Sequence, residues 1–340
     1  MKRFISIIFM ALLVAVTLAG CSRDNKSSNN NKLVDNKKKI SVVSTIFPSY
    51  DFTREIAGDK ADVTMLLPPG SESHSFEPTP QDIIKIQNCN IFIYVGGESD
   101  QWVKDVLESM DTSKMKIITL MDCVQVFEEE IVEGMEEEEH TDGEEHTDDH
   151  ETDEEHAEDY VGEEPEYDEH VWTSPKNAKL IVQKISDVLC QADTANAAIY
   201  QENTGDYLTK LDELDSKFQD AVDNGKRKTI VFGDRFPFRY FADAYGLEYY
   251  AAFPGCSTET EASAGTVKFL IDKINTEKIP VVFHIELSNE KMADTISEAT
   301  GAKVLLLHAC HNISKSDFEK GKNYIDLMTG NVEVLKEALQ

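Results

Sequence analysis

Apolar positions along this chain follow two alternating rhythms. Short runs rich in β-branched and aromatic residues, at 40–46, 63–67, 90–95 and 116–120, read as buried strands. Between them the apolar spacing turns helical, over 50–56, over 80–87 with Ile83, Ile84 and Ile86, and over 101–110. Ser174 and Pro175 supply an N-cap and a first-turn proline for a helix running to about 191. Residues 196–223 form one long amphipathic pattern, with Tyr200, Tyr207, Leu208, Leu211, Leu214 and Phe218 recurring at three- and four-residue steps. Asn224 and Gly225 end it. A second strand set follows at 229–232, 247–252, 280–285 and 303–307, again with helices between. Alternating strands and helices predict an α/β fold: two lobes of parallel sheet flanked by helices, at 40–194 and 225–340. A long, rigid linking helix at 195–224 joins them. Ligands in such sheets bind beyond the carboxyl ends of the strands, so the interlobe cleft is the expected site.

The first twenty residues fall outside that rhythm. Lys2 and Arg3 precede an almost wholly apolar stretch at 4–18, too short and too unevenly flanked for a membrane span, so a signal peptide is expected over 1–20. Leu18, Ala19, Gly20 and Cys21 resemble a bacterial lipobox, which implies lipidation at Cys21 after cleavage. Residues 21–39, rich in Asn, Ser and Lys, cannot pack and read as a lipidated tether. The expected location is the extracytoplasmic face of the bacterial cell membrane.

The 340 residues, 41% of them apolar, are enough for about two domains of ~100–200 residues. The formal charge of −31 is concentrated. Residues 128–169 hold 24 acids, four histidines and no Lys or Arg, and the rest of the chain carries −7. Without a basic patch interleaved with aromatics, no nucleic-acid partner is expected. The acidic segment has no apolar periodicity and reads as a disordered insertion carrying His140, His146, His150 and His156.

Apart from Cys21, the cysteines are Cys89, Cys123, Cys190, Cys256 and Cys310, with no close metal-type spacing. Cys256 and Cys310 lie in loop-like segments, and a disulfide between them competes with a reading of all five as small buried apolar residues. Five histidines lie outside the acidic segment. His284 sits inside an apolar strand and reads as a core residue. His74, His170 and His308 each follow a strand or precede a helix, with His311 three residues beyond His308. Imidazoles converging on one cleft are the natural ligands of Zn²⁺. Asp234, just after the strand at 229–232, is either a fourth donor or a turn former.

The motifs around these histidines resemble those of the solute-binding lipoproteins that feed zinc and manganese ABC importers. SESHSFEPTP at 71–80 is similar to that family's first-ligand motif, and DEHVWTSPKNA at 168–178 to its second, with Glu169 where proline is usual. The resemblance extends over nearly all of 40–339 and implies His74 and His170 as metal ligands. A third falls at or beside Asp234, and the fourth at His308 or, alternatively, His311. A set of three imidazoles and one carboxylate favours Zn²⁺ over Mn²⁺, with Glu72, Glu77 and Glu286 as acceptors orienting the rings. The implied function is zinc capture and delivery to an ABC permease, by a monomer and without enzymatic chemistry. The insertion, ending beside His170, would collect zinc weakly. The competing readings are a manganese receptor of the same family, a surface adhesin, and a zinc hydrolase; against the last, no His-Glu-x-x-His signature is present.

Overall fold

The strand runs of the first half pair where their composition places them, in a four-stranded parallel sheet. The computed structural model describes residues 39–73, 76–135, 166–257 and 261–340. Strands β1 (Ile40–Ser44), β2 (Ala61–Met65), β3 (Ile91–Tyr94) and β4 (Lys116–Thr119) lie in the order β2-β1-β3-β4. Helices Phe47–Ala57, Pro80–Asn88 and Gln101–Glu108 make the crossovers. Successive strand residues point to opposite faces. Val42 therefore joins the main core, and Val43 a smaller one with Leu66, Ile86, Phe92 and Val103. Burial on both faces is why β1 and β3 read as continuous apolar runs. Thr79 and Asp82 close a capping box at the start of Pro80–Asn88. Ser174 takes the N-cap position of helix Pro175–Ala192, but its side chain makes no capping bond, so the first-turn proline is the part of that signal used.

In the second half, β5 (Thr229–Val231) pairs β7 (Glu248–Tyr250), and β9 (Val281–His284) pairs β10 (Lys303–Leu306), all parallel. A parallel bridge from Phe232 to Phe283 joins the two pairs. The run expected as one strand at 247–252 is a strand only over Glu248–Tyr250. Its continuation forms β8 (Phe253–Pro254), which pairs β6 (Arg235–Phe236). This short ladder builds one wall of the cleft.

The 27-residue helix Ala197–Asp223 is more than a connector. It packs against helices Pro175–Ala192, Tyr324–Ala338 and Phe47–Ala57, and buries Tyr200, Tyr207, Leu211, Leu214 and Phe218. Each such side chain contributes about 1.5–3 kcal/mol by leaving water. One apolar cluster runs through both halves, from Val42 to Leu339. The described residues accordingly belong to a single compact unit.

The cysteine alternatives are resolved against the bridge. Cys89, Cys123, Cys190, Cys256 and Cys310 are all free thiols. Cys310 is fully buried, with its Sγ 3.8 Å from the His308 carbonyl. Cys256 sits among the carboxylates Asp168, Glu129 and Glu169, whose charge adds to burial in pushing its thiol pKa up. Cys21 lies outside the described residues.

Candidate metal centre

His170 is held from both sides in sequence. The backbone before it pairs with the segment preceding the acidic insertion, through Asp168 N–H to the Phe127 carbonyl and Glu129 N–H to the Glu166 carbonyl. After it, Val171–Thr173 forms a single 3-10 turn in which Trp172 donates its indole N–H to the Ala309 carbonyl at 2.8 Å. The ring is fully buried. Its Nδ1 lies 3.1 Å from Asp168 Oδ1, which also accepts the His170 backbone N–H at 2.7 Å. A carboxylate can only accept, so this contact puts the proton on Nδ1 and the lone pair on Nε2, the state a metal needs. Burial pulls the imidazole pKa down, but the charge and hydrogen bond of Asp168, with Glu169 and Glu129, outweigh it and leave it raised. Gly255 passes so close that a Cβ there would meet Asp168 Oδ2 and His170 Nδ1 at 3.2 Å, leaving little space for a side chain.

His311 approaches from the second lobe. Its ring stands edge-on to His170, centroids 5.1 Å apart at 90°, and 4.9 Å from Trp172. Glu286 fixes its loop, with Oε2 accepting the Ala309 N–H at 2.7 Å and Oε1 the His311 N–H at 2.8 Å. Between them Cys310 has φ of +59°, a left-handed conformation that costs a non-glycine residue about 1–3 kcal/mol and persists where surroundings enforce it. The same loop is stitched to the first lobe. Asn312 Nδ2 donates to the Pro68 and Ser71 carbonyls, both at 2.8 Å, and the Gly70 N–H to the Ile313 carbonyl at 2.8 Å. Gly70 has φ of +80°, which explains the glycine after two prolines.

His170, His311 and Glu286 line one cavity of about 20 Å³ with Glu72, Ser73 and Arg235. The structure does not bring the other expected donors there. His308 donates its backbone N–H to Asn331 and accepts the Cys310 N–H on Nδ1 at 2.9 Å, so one ring nitrogen serves the loop. Asp234 has its carboxylate taken by the backbone N–H groups of Arg235 (2.8 Å) and Ile285 (3.1 Å) and by the Ser288 hydroxyl. It lines an adjoining cavity of about 240 Å³. His284 faces away, its Nδ1 3.1 Å from the Ile285 carbonyl. Glu72 and Glu286 stand at the cleft; Glu77 is not among its lining residues. His74, His140, His146, His150 and His156 lie outside the described residues. Among the described residues, no three His, Cys, Asp or Glu side chains converge as a metal cluster.

Two participants were not foreseen. Asp168 had a sequence signal in its two-residue offset from His170. Arg235, 8% exposed, had only its place beside Asp234.

The roots of the acidic insertion also cross to the second lobe. Glu129 Oε1 accepts the Cys256 N–H at 2.9 Å, and Glu130 accepts the Tyr249 hydroxyl at 2.9 Å and pairs with Arg239 at 3.2 Å.

Comparisons with known proteins agree with this architecture. The ZnuA family model, zinc-uptake complex component A, periplasmic, matches residues 42–338. The zinc-binding lipoprotein AdcA of Streptococcus pneumoniae R6 is 31% identical over 332 residues, covering 97% of this chain; the chain spans only 60% of that protein's length. The high-affinity zinc uptake system protein ZnuA of Bacillus subtilis 168 is 30% identical over 332 residues, covering 98% of this chain and 97% of that one. The crystal structure of the Zn(II)-bound ZnuA-like domain of Streptococcus pneumoniae AdcA superposes with a TM-score of 0.69 at 27% identity, covering 89% of this chain and 99% of that domain. A match across almost the whole folded body, joined to paired imidazoles facing one interlobe cavity, places the chain in the ZnuA family.

Proposed function

We propose that this protein is an extracytoplasmic zinc receptor that captures Zn²⁺ and delivers it to a membrane ABC importer. The observation that carries the reading is the His170–His311 pair, two buried or cleft-lining imidazoles from opposite lobes with centroids 5.1 Å apart. Nitrogen donors of this kind suit Zn²⁺ better than the harder Mn²⁺. Asp168 orients the His170 ring as carboxylates do behind metal-bound histidines, and Glu286 holds the loop that carries His311 by its backbone N–H groups. His74, the residue after Ser73 in the chain, is a third imidazole donor in this reading. Within this reading His311 is the donor of its loop, and His308 and Asp234 support the loops around it. The mature chain is a monomer anchored by lipid at Cys21, and the insertion's His140, His146, His150 and His156 gather zinc weakly near the cleft. Delivery requires no covalent chemistry, so no enzymatic role is assigned.

The test is native metal content after mild purification, with a zinc titration of the wild type and of His170→Ala and His311→Ala. The expected result is one tightly held zinc, lost in both variants. Recovery of manganese overturns the choice of metal, and full affinity in both variants overturns the site.

A further inference from the structure

We propose that the zinc in this cleft is bound together with a small carboxylate-class anion held by Arg235. The inference rests on the zinc-receptor reading and adds a second ligand to it. Arg235 begins β6 and lies in the wall between two cavities, one lined by His170, His311 and Glu286, the other by Asp234, Ser288 and Asn289. It is 8% exposed. A buried cation beside the place that receives a dication is unfavourable unless negative charge lies between them.

The described protein groups fill few of the Arg235 donors. Its guanidinium has five N–H donors in a planar fork. Among the described residues two acceptors are present: the Ser257 carbonyl at 3.1 Å, and Glu72 Oε2 at 3.5 Å, the outer limit of a hydrogen bond, on a side chain 39% exposed. Nearby carboxylates keep their charge but aim their oxygens at other donors. Asp234 is held by two backbone N–H groups and a hydroxyl, and both oxygens of Glu286 are held by backbone N–H groups.

The metal side has room for one more donor beyond the imidazoles. His170 and His311 are neutral donors when they ligate. At the place where a third protein donor was expected, Asp234 turns into the adjoining cavity and its neighbour at the cleft is a cation that cannot coordinate. An anion with one oxygen on the metal and the other in the Arg235 fork satisfies both. Guanidinium N–H groups bonding a carboxylate oxygen are charge-assisted, and bonds of this kind are the strong ones. The adjoining cavity of about 240 Å³ leaves room for the rest of a larger acid.

The experiment is a competition titration of zinc against a chromophoric chelator, in non-coordinating buffer stripped of carbon dioxide. Bicarbonate is added in one arm and citrate in the other, to wild type, Arg235→Lys and Arg235→Gln. In the wild type at least one anion should tighten zinc binding by about tenfold or more, the scale of one charge-assisted pair. Arg235→Gln should lose that enhancement and Arg235→Lys retain only part of it. Enhancement by bicarbonate means a free anion joins the metal; enhancement by citrate alone means the metal arrives as its chelate. Wild-type binding that is tight without anion and only weakened by both overturns the proposal while leaving the zinc receptor standing. Full enhancement in a folded Arg235→Gln also overturns it. A wild type that binds no zinc under any condition overturns both readings. The anion dependence of the wild type decides the question even if Arg235→Gln does not fold.

Discussion

Asp168 grips His170 twice with one carboxylate oxygen, taking the backbone N–H at 2.7 Å and facing ring Nδ1 at 3.1 Å. The double contact sets both the tautomer and the rotation of the ring. Asp168→Ala should therefore lower zinc affinity by about 10–100-fold, the usual cost of removing an acceptor behind a metal-binding histidine. Chelator competition at pH 7.5 reads this directly. Undiminished affinity would mean that His170 is not a donor or needs no orienting.

His308 and His311, three residues apart, should separate cleanly. His311→Ala should abolish tight zinc binding with little loss of stability. His308→Ala removes the acceptor of the Cys310 N–H and should cost about 1–3 kcal/mol of stability while affinity survives. Thermal unfolding of the metal-free proteins and zinc titration together check the pair; the reverse pattern makes His308 the donor.

The acidic insertion divides into a packed root and the segment beyond it. Glu129 and Glu130 contact Cys256, Tyr249 and Arg239, and Met135 is buried. Replacing 136–165 by a short Gly-Ser linker should remove weak zinc equivalents and leave one tight site with unchanged stability. Removing 128–166 should in addition lower the melting temperature, because the root contacts go too. Equilibrium dialysis with differential scanning calorimetry separates the two deletions. Unchanged zinc stoichiometry in the shorter one refutes metal collection by the insertion.

Asp51 is buried, accepts the Tyr324 N–H at 2.8 Å and pairs with Arg54 at 2.8 Å. Burial nevertheless pushes its pKa up from 3.8 to about 6, against the pull of Arg54 and Tyr324. Between those values the folded state holds more proton than the unfolded state, so this group's contribution is full below pH 3.8 and is lost as pH rises through about 6. Asp51→Asn cannot ionise and should escape that loss. Its melting temperature relative to wild type should rise between pH 4.5 and 7.5; a constant difference would show that burial does not perturb Asp51.

Much of this molecule was legible one residue at a time. Local patterns were enough for the strands, the long helix and the approximate limits of most elements, because burial on a sheet or along a helix face leaves a period in the sequence. The break between β7 and β8 left no such period. Ala251 and Ala252 are apolar and buried, like the strands they separate, and only the pairing partners distinguish them. His284 inside a strand could be read as structural from its neighbours. His308 and His311 could not be told apart, since both sit in one loop with similar flanks.

Residue order carries the periodic part: an α/β body, a concentrated charge, and a short list of histidines at the ends of elements. Which of those side chains meet depends on the folded chain. The Cys310 backbone turns left-handed, sending His311 to the cleft while His308 receives the Cys310 N–H, and β6 brings Arg235 to the wall beside them. Asp234 was likewise drawn off by the backbone N–H of Ile285, fifty-one residues away. The physical reason is that periodicity records how much of a residue is buried, whereas coordination depends on which long-range hydrogen bonds have already claimed its atoms.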